Sequence, residues 1–179
     1  NKIWIAEGSQ KHFTAPIVAE AKQAGLLVQF VDKRKLDQLT EGMQHQGVAA
    51  QAAAYGYVTV EDILEAAAAK GEPPFVLILD EIEDPHNLGS ILRTADCTGV
   101  HGVIIPKRRA VGLTATVSKT SAGAVEYVPV ARVSNLAQTM DMLKKQGVWI
   151  AGTDLSAEQN AYQANLTGPL ALVIGNESK

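Results

Sequence analysis

Residues 79–106 read LDEIEDPHNLGSILRTADCTGVHGVIIP, and this stretch decides the fold class of the chain. The apolar run 75–79 leads into it, and apolar residues then recur with helical spacing, as at Leu88 and Leu92. A second apolar run, 103–105, follows two glycines. Two strands joined by a crossover helix form a βαβ unit, so the stretch predicts an α/β fold with a Rossmann-like parallel sheet.

The loop at the end of the first of these strands is a candidate binding site, because open α/β sheets place ligands at the carboxyl ends of their strands. Asn87, Gly89 and Arg93 follow this loop with the spacing N-x-G-x-x-x-R. In a structural reading, Asn87 caps the helix, Gly89 relieves crowding in its first turn and Arg93 points to water. In a functional reading, Arg93 lies close to the strand-end crevice. The residues alone leave both readings open.

The composition excludes several classes of protein. The chain has 179 residues, a formal net charge of −3 and 5% aromatic residues, so it does not coat nucleic acid by bulk charge. The single cysteine excludes an internal disulfide, and we expect a cytoplasmic protein. We also expect that cysteine, Cys97, to be buried on the central helix.

Two prolines in the segment 71–74 predict a linker between two domains. Before it, residues 1–70 show the order βαβαβα of a small α/β module, ending in a helix that Thr59 caps. After it, residues 75–179 contain further predicted strands at 125–133, 148–151 and 170–174. Ser134 is the expected cap of the helix that precedes the second of these strands.

Several common catalytic motifs are absent from the sequence. It contains no G-x-G-x-x-G dinucleotide motif and no phosphate-binding P-loop, and its histidines lack the paired spacing of a zinc site. The acidic residues of 80–84 resemble a divalent-metal site, but they also favour the start of a helix, and we expect no metal. The basic run 107–109 predicts either a solvated loop or a local contact with RNA phosphates.

Three separated segments resemble the SpoU/TrmH family of RNA ribose 2′-O-methyltransferases, which have an α/β-knot fold. They are the first motif at residues 87–95 (NLGSILRTA), the segment that leads to the second motif at 120–126 (TSAGAVE), and a strand and loop at 172–177 (LVIGNE). Residues 1–70 are similar to the ribosomal-protein-like substrate-binding domain of the RlmB-type branch, which methylates a guanosine of 23S ribosomal RNA. A methyltransferase domain over residues 75–179 follows from the same resemblance.

The resemblance implies a role for each candidate residue. Arg93, Asn87 and Glu126 are the expected catalytic group, and Gly175, Asn176, Glu177 and Thr153 are expected to bind S-adenosylmethionine. Lys107, Arg108, Arg109 and Lys119 are expected to contact RNA. The family forms homodimers, so a homodimer is expected as well.

The family also has a third motif, which forms the knot and much of the cofactor pocket, and the printed sequence stops before it. We therefore expect the chain to be C-terminally incomplete and to bind the cofactor poorly as it stands. Two alternatives remain open. One is a non-catalytic RNA-binding or ribosome-assembly protein that retains the fold, and the other is a methyltransferase that acts on transfer RNA.

Overall fold

The computed structural model describes residues 2–51 and 55–175. The chain forms two compact units, residues 1–54 and residues 55–179. Within the described ranges, no helix is long and apolar enough to cross a membrane.

The first unit is a three-stranded sheet with two helices. Its strand order is β2-β1-β3, with β2 parallel and β3 antiparallel to β1. Helix α2 begins where the Asp32 carboxylate caps it by accepting a hydrogen bond from the backbone N of Lys35 at 2.9 Å. The elements are β1 (Lys2–Ala6), α1 (Lys11–Gln23), β2 (Leu27–Val31), α2 (Lys33–Leu39) and β3 (Val48–Gln51).

The second unit is built on a five-stranded parallel sheet with the order β6-β5-β4-β8-β7. Apolar clusters cover both faces of this sheet, as expected when every strand is followed by a crossover. Its elements are α3 (Val60–Ala69), β4 (Phe75–Leu79), α4 (Pro85–Cys97), β5 (Gly102–Pro106), α5 (Ala115–Thr120), β6 (Val130–Val133), α6 (Leu136–Lys145), β7 (Trp149–Gly152) and β8 (Leu170–Ile174).

The unit boundary differs from the predicted linker at 71–74. Thr59 caps α3 as predicted, with a reciprocal hydrogen bond to Asp62, but α3 belongs to the second unit. Ile63 packs there against Gly102, where an added Cβ would lie 2.5 Å from the Cδ1 atom of Ile63. The helical pattern is therefore confirmed, and the contacts group α3 with the second unit. Periodicity alone does not say which sheet a helix covers.

Three local predictions also need correction. The predicted strand 125–133 begins with a 3-10 turn at Ala124–Glu126, and only Val130–Val133 is extended. Asn135 caps α6 instead of Ser134, because its side chain accepts from the backbone N of Gln138 at 3.1 Å. Cys97 is exposed, because it is the last residue of α4 and lies off the buried stripe of that helix.

Candidate active site

The carboxyl ends of three neighbouring strands lie side by side at one edge of the second unit, beside several of the predicted site residues. The backbone N of Asp80, just after β4, donates to the carbonyl of Ile174 at the end of β8 (2.9 Å). The backbone N of Thr153, just after β7, donates to the carbonyl of Val173 (3.0 Å). The exits of β4, β8 and β7 are therefore hydrogen-bonded side by side, and we call this region the strand-end edge.

Helix α4 starts at this edge, and Asp84 caps it. The Asp84 carboxylate accepts from the backbone N of His86 at 2.8 Å, and Pro85 occupies the first helical position. The structural reading in which Asn87 caps the helix was thus wrong. Asn87 lies inside the first turn, and its exposed side chain makes no hydrogen bond to the described residues.

Gly89 lets α4 approach α5 very closely. A Cβ at this position would lie 2.7 Å from the Cβ of Thr120 and 2.9 Å from the backbone N of Ser121. The Thr120 hydroxyl also reaches the carbonyl of Pro85 at 3.1 Å, with the carbonyls of its own helix as competing acceptors. The glycine of the N-x-G-x-x-x-R pattern is therefore a packing residue that joins the first and second family motifs.

Arg93 is exposed and makes no ion pair or hydrogen bond within the described residues. In an α-helix, Arg93 is rotated by about 40° around the axis from Gly89. From Asn87 it is rotated by about 120° and displaced by about 9 Å along the axis. Arg93 therefore lies on the side of α4 that faces α5. This separation disfavours a direct contact between the Asn87 and Arg93 side chains.

Glu126 follows a sharp change in chain direction between α5 and β6. Ala122 and Gly123 are both left-handed, with φ of 52° and 91°. The 3-10 turn that contains Glu126 packs against α4, through buried Ala124 and Val125. Glu126 itself is exposed and has no side-chain partner among the described residues. The left-handed pair explains why the strand starts later than predicted.

The four basic candidates do not have equivalent surroundings. Arg109 donates to the Glu81 carboxylate at 2.9 Å, and the side chains are 72% and 19% exposed, respectively. This hydrogen bond, with the charge of Glu81, raises the pKa of the Arg109 guanidinium above its ordinary value. Lys107, Arg108 and Lys119 are exposed and make no side-chain ion pair within the described ranges. Arg109 thus links the loop after β5 to the loop after β4, and the other three are available to a ligand.

Two tyrosines that the sequence prediction missed support the loop between β5 and α5. The Tyr57 hydroxyl accepts from the backbone N of Leu113 at 2.9 Å, and the Arg132 guanidinium lies 5.3 Å from the Tyr57 ring centre. Tyr55 is hydrogen-bonded to the Ser118 hydroxyl at 2.7 Å. The sequence did contain a signal for this role. Two of the four tyrosines of the chain, Tyr55 and Tyr57, are separated by a single residue in the segment before α3.

The described part of the predicted cofactor site is open at the backbone. A Cβ added to Gly152 or Gly175, at the ends of β7 and β8, would meet no atom of the described residues within 4 Å. The Thr153 hydroxyl lies between them and donates to the carbonyl of Val173 at 3.2 Å. These residues fit a ligand such as an adenosine that approaches the main chain. Asn176 and Glu177, which were predicted to continue this site, lie outside the described residues.

One carboxylate beside these strand ends is held in its charged form. Asp154 accepts hydrogen bonds from the side chain and the backbone N of Ser156, which lower its pKa. Among the residues that the structure describes, no three His, Cys, Asp or Glu side chains are placed to hold a metal ion together.

Comparison with known families agrees with this arrangement. Residues 74–179 match the model of the SpoU rRNA Methylase family, and residues 1–58 match the model named RNA 2′-O ribose methyltransferase substrate binding. The chain belongs to the SpoU/TrmH family of RNA methyltransferases. This confirms the resemblance that the three sequence segments indicated.

Individual SpoU/TrmH relatives match almost the whole chain. YacO of Bacillus subtilis (strain 168), whose name places it among TrmH family tRNA/rRNA methyltransferases, is 54% identical over 99% of this chain and 71% of its own length. The 23S rRNA (guanosine-2′-O-)-methyltransferase RlmB of Shewanella oneidensis is 45% identical over 99% of this chain and 72% of its own length.

A solved structure of an rRNA methyltransferase confirms the fold class. The crystal structure of an AdoMet-bound rRNA methyltransferase from Sinorhizobium meliloti superposes with a TM-score of 0.73 at 23% identity. The match covers 99% of this chain and 64% of that one. The parallel five-stranded sheet is therefore the sheet of this kind of methyltransferase.

Proposed function

We propose that the protein methylates a ribose 2′-hydroxyl in RNA, with S-adenosylmethionine as the methyl donor and a guanosine of 23S ribosomal RNA as the target. It acts in the cytoplasm as a homodimer, in which the basic residues of two subunits together compensate for the weakly acidic total charge. The first unit recognises RNA, and the second carries the chemistry.

One observation carries this proposal. The helix with Asn87 and Arg93 starts at the same strand-end edge as Gly175 and Thr153, and the hydrogen bond from Asp80 to Ile174 joins the two parts. A substrate held along α4 is therefore adjacent to a ligand held at the exits of β7 and β8. Methyl transfer requires this arrangement, because the attacking oxygen must be in line with the methyl group.

When bound, S-adenosylmethionine supplies an electrophilic methyl group on a positively charged sulfur. The chain has to position the ribose and stabilise the oxygen as its proton leaves. Arg93 does not act as the base, because a guanidinium keeps its protons at neutral pH. Its planar fork instead binds the neighbouring phosphate and the developing negative charge on O2′, in a form of electrostatic catalysis. The proton passes to the phosphate or to water.

Asn87 and Glu126 have separate tasks in this proposal. Asn87 lies a turn and a half from Arg93, so it contacts the substrate directly instead of orienting the arginine. Glu126, in the 3-10 turn that follows the left-handed pair Ala122–Gly123, orders the exposed part of the second-motif loop when RNA is bound. Neither side chain has a partner among the described residues, so both are available for these contacts.

The choice of guanosine in 23S rRNA rests on the Shewanella oneidensis relative, which is named for that reaction and is 45% identical. The Bacillus subtilis relative is named for transfer RNA and ribosomal RNA together. The two substrates are therefore compared directly in the test below.

The test uses the full-length protein, with any residues that its gene encodes on either side of this sequence. It is incubated with methyl-tritiated S-adenosylmethionine and either unmodified 23S rRNA or a transfer RNA pool, and the labelled RNA is digested to nucleosides. Label in 2′-O-methylguanosine from 23S rRNA supports the proposal, and label only in transfer RNA corrects its substrate. Label on a base, or no label with either RNA, contradicts it, and the second result favours the non-catalytic alternative.

A further inference from the structure

The first unit has a second basic cluster, which the sequence prediction overlooked. Lys33, Arg34 and Lys35 are consecutive, and all three are exposed. This run is as dense as residues 107–109, and its side chains make no ion pair within the part of the chain that the structure describes.

The run lies at one defined edge of the three-stranded sheet. Strands β1 and β2 are parallel neighbours, so their carboxyl ends meet at the same edge. Lys33 begins α2 two residues after β2 ends, and Lys11 begins α1 soon after β1 ends. The backbone N of Glu7 donates to the carbonyl of Val31 at 2.7 Å and holds the two exits together. We call the four residues Lys11, Lys33, Arg34 and Lys35 the basic edge.

These positions are unfavourable for folding alone. Basic side chains in the first turn of a helix are repelled by its dipole, whereas acidic ones are stabilised. Neither α1 nor α2 has an acidic residue in its first turn, and both start with lysine. Asp32 is used as the cap of α2, and Glu7 is the other acidic residue at these exits. The basic edge therefore has a net positive charge that helix stability does not explain.

A neighbouring loop at the same edge has a fixed conformation. The ring of His45 is hydrogen-bonded through Nε2 to Asp37 at 2.8 Å, and its Nδ1 accepts from the backbone N of Gly47 at 2.9 Å. The carbonyl of Gly47 accepts from the backbone N of Ala6 at 2.8 Å. Because this loop is tied to both α2 and β1, a ligand at the edge meets a preformed surface.

We propose that the basic edge, at the carboxyl ends of β1 and β2, binds the phosphate backbone of the substrate RNA. The inference rests on the proposed function for the class of ligand and on the match of residues 1–58 to a substrate-binding family. What the inference adds is the location of the RNA contact within the first unit. Several lysines and an arginine without acidic partners are typical of phosphate contacts, which position RNA without reading its sequence.

The test compares two variants of the full-length protein that lose the same charge. Lys33→Gln with Lys35→Gln removes two positive charges from the basic edge. Lys2→Gln with Lys22→Gln removes two from the opposite end of the sheet, where β1 starts and α1 ends. Circular dichroism and thermal unfolding show that each variant is folded. Equilibrium binding to unmodified 23S rRNA is then measured at several KCl concentrations, without S-adenosylmethionine.

We expect the edge variant to bind about tenfold more weakly at physiological salt and its log–log salt slope to fall by about 1.5, since each lost phosphate contact removes about 0.7 to 0.9. The control variant should keep nearly the parental slope. If both variants lost RNA affinity equally, the effect would come from net charge alone, and the proposed location would be overturned. An unchanged salt slope in the edge variant would also overturn it.

Binding is measured apart from methyl transfer, so the inference and the proposed function fail separately. A protein that methylates no RNA but loses salt-dependent binding in the edge variant alone would support the basic edge and contradict the proposed activity. If the protein methylates 23S rRNA but both variants are equally impaired in RNA binding, the result would support the proposed activity and contradict the basic edge.

Discussion

The Thr120 hydroxyl on α5 lies 3.1 Å from the carbonyl of Pro85 on α4, at the point where Gly89 removes the Cβ that would separate the two helices. This contact fixes the start of α4, and with it Arg93, against the second-motif segment. The first two family motifs therefore form one packed unit, even before any ligand is bound.

Gly89→Ala should destabilise the second unit by about 1–2 kcal/mol. Alanine gains up to about 1 kcal/mol in helix propensity, but the added methyl overlaps Thr120 and the backbone of Ser121, and overpacking costs about 1–3 kcal/mol. Urea unfolding measures the change. Gly56→Ala is the control, because a Cβ there meets none of the described residues within 4 Å and its effect should stay within about 0.5 kcal/mol. Equal stability of the two variants would contradict the close packing.

Arg93→Lys should reduce kcat at saturating RNA by about 100-fold and leave stability within about 0.5 kcal/mol of the parent. Arg93 is exposed and has no partner in the described residues, so folding does not need it, but lysine lacks the planar fork. Single-turnover methylation gives the rate. Arg108→Lys, another charge-preserving change at an exposed arginine, should leave kcat nearly unchanged. An undiminished rate for Arg93→Lys would rule out the fork as the catalytic element.

The basic residues of 107–109 should contribute unequally to RNA binding. Lys107→Gln and Arg108→Gln should each lower the log–log salt slope by about 0.7 to 0.9. Arg109→Gln should lower it less, because Glu81 already neutralises much of its charge. The hydrogen bond and the charge of Glu81 raise the pKa of Arg109, so the guanidinium keeps its charge throughout the usual working range of pH. Equal slopes for all three variants would show that the ion pair opens when RNA binds.

Acid should remove the contribution of the α3 capping box. The backbone N and the side chain of Thr59 lower the pKa of Asp62, so its charged form is favoured in the folded protein. A lowered pKa stabilises the fold above the unfolded value of about 3.9, and this stability is lost as the pH falls through the folded value. The Tm difference between the parent and Asp62→Ala should be constant from pH 8 to pH 5 and shrink below about pH 4. A difference that grows on acidification would contradict this sign.

Much of the fold could be predicted from the sequence, because its central elements have unmistakable patterns. The apolar strands 75–79, 103–105 and 170–174 and the helix between the first two were all confirmed. The placement of α3 could not be predicted, since its apolar face fits either sheet until Ile63 is seen over Gly102. The left-handed Ala122 was equally hidden, because nothing in its residue type demands that conformation.

The position of the candidate site at the strand-end edge could be predicted from the sequence, but most of its side-chain contacts could not. Strand ends fix where Asn87 and Thr153 lie, and the structure agrees. The packing role of Gly89 depends on Thr120, which is distant in sequence, so local rules could not reveal it. The pairing of Arg109 with Glu81 likewise needs two loops that meet only in the folded unit.

The most direct test is the 2′-O-methylguanosine content of 23S rRNA, mapped by mass spectrometry in cells that lack the gene and are complemented with either the parental protein or Arg93→Ala. Our account predicts one 2′-O-methylguanosine that is present with the parental protein and absent with Arg93→Ala, at equal protein levels. An unchanged set of 2′-O-methylated guanosines in all strains would contradict it.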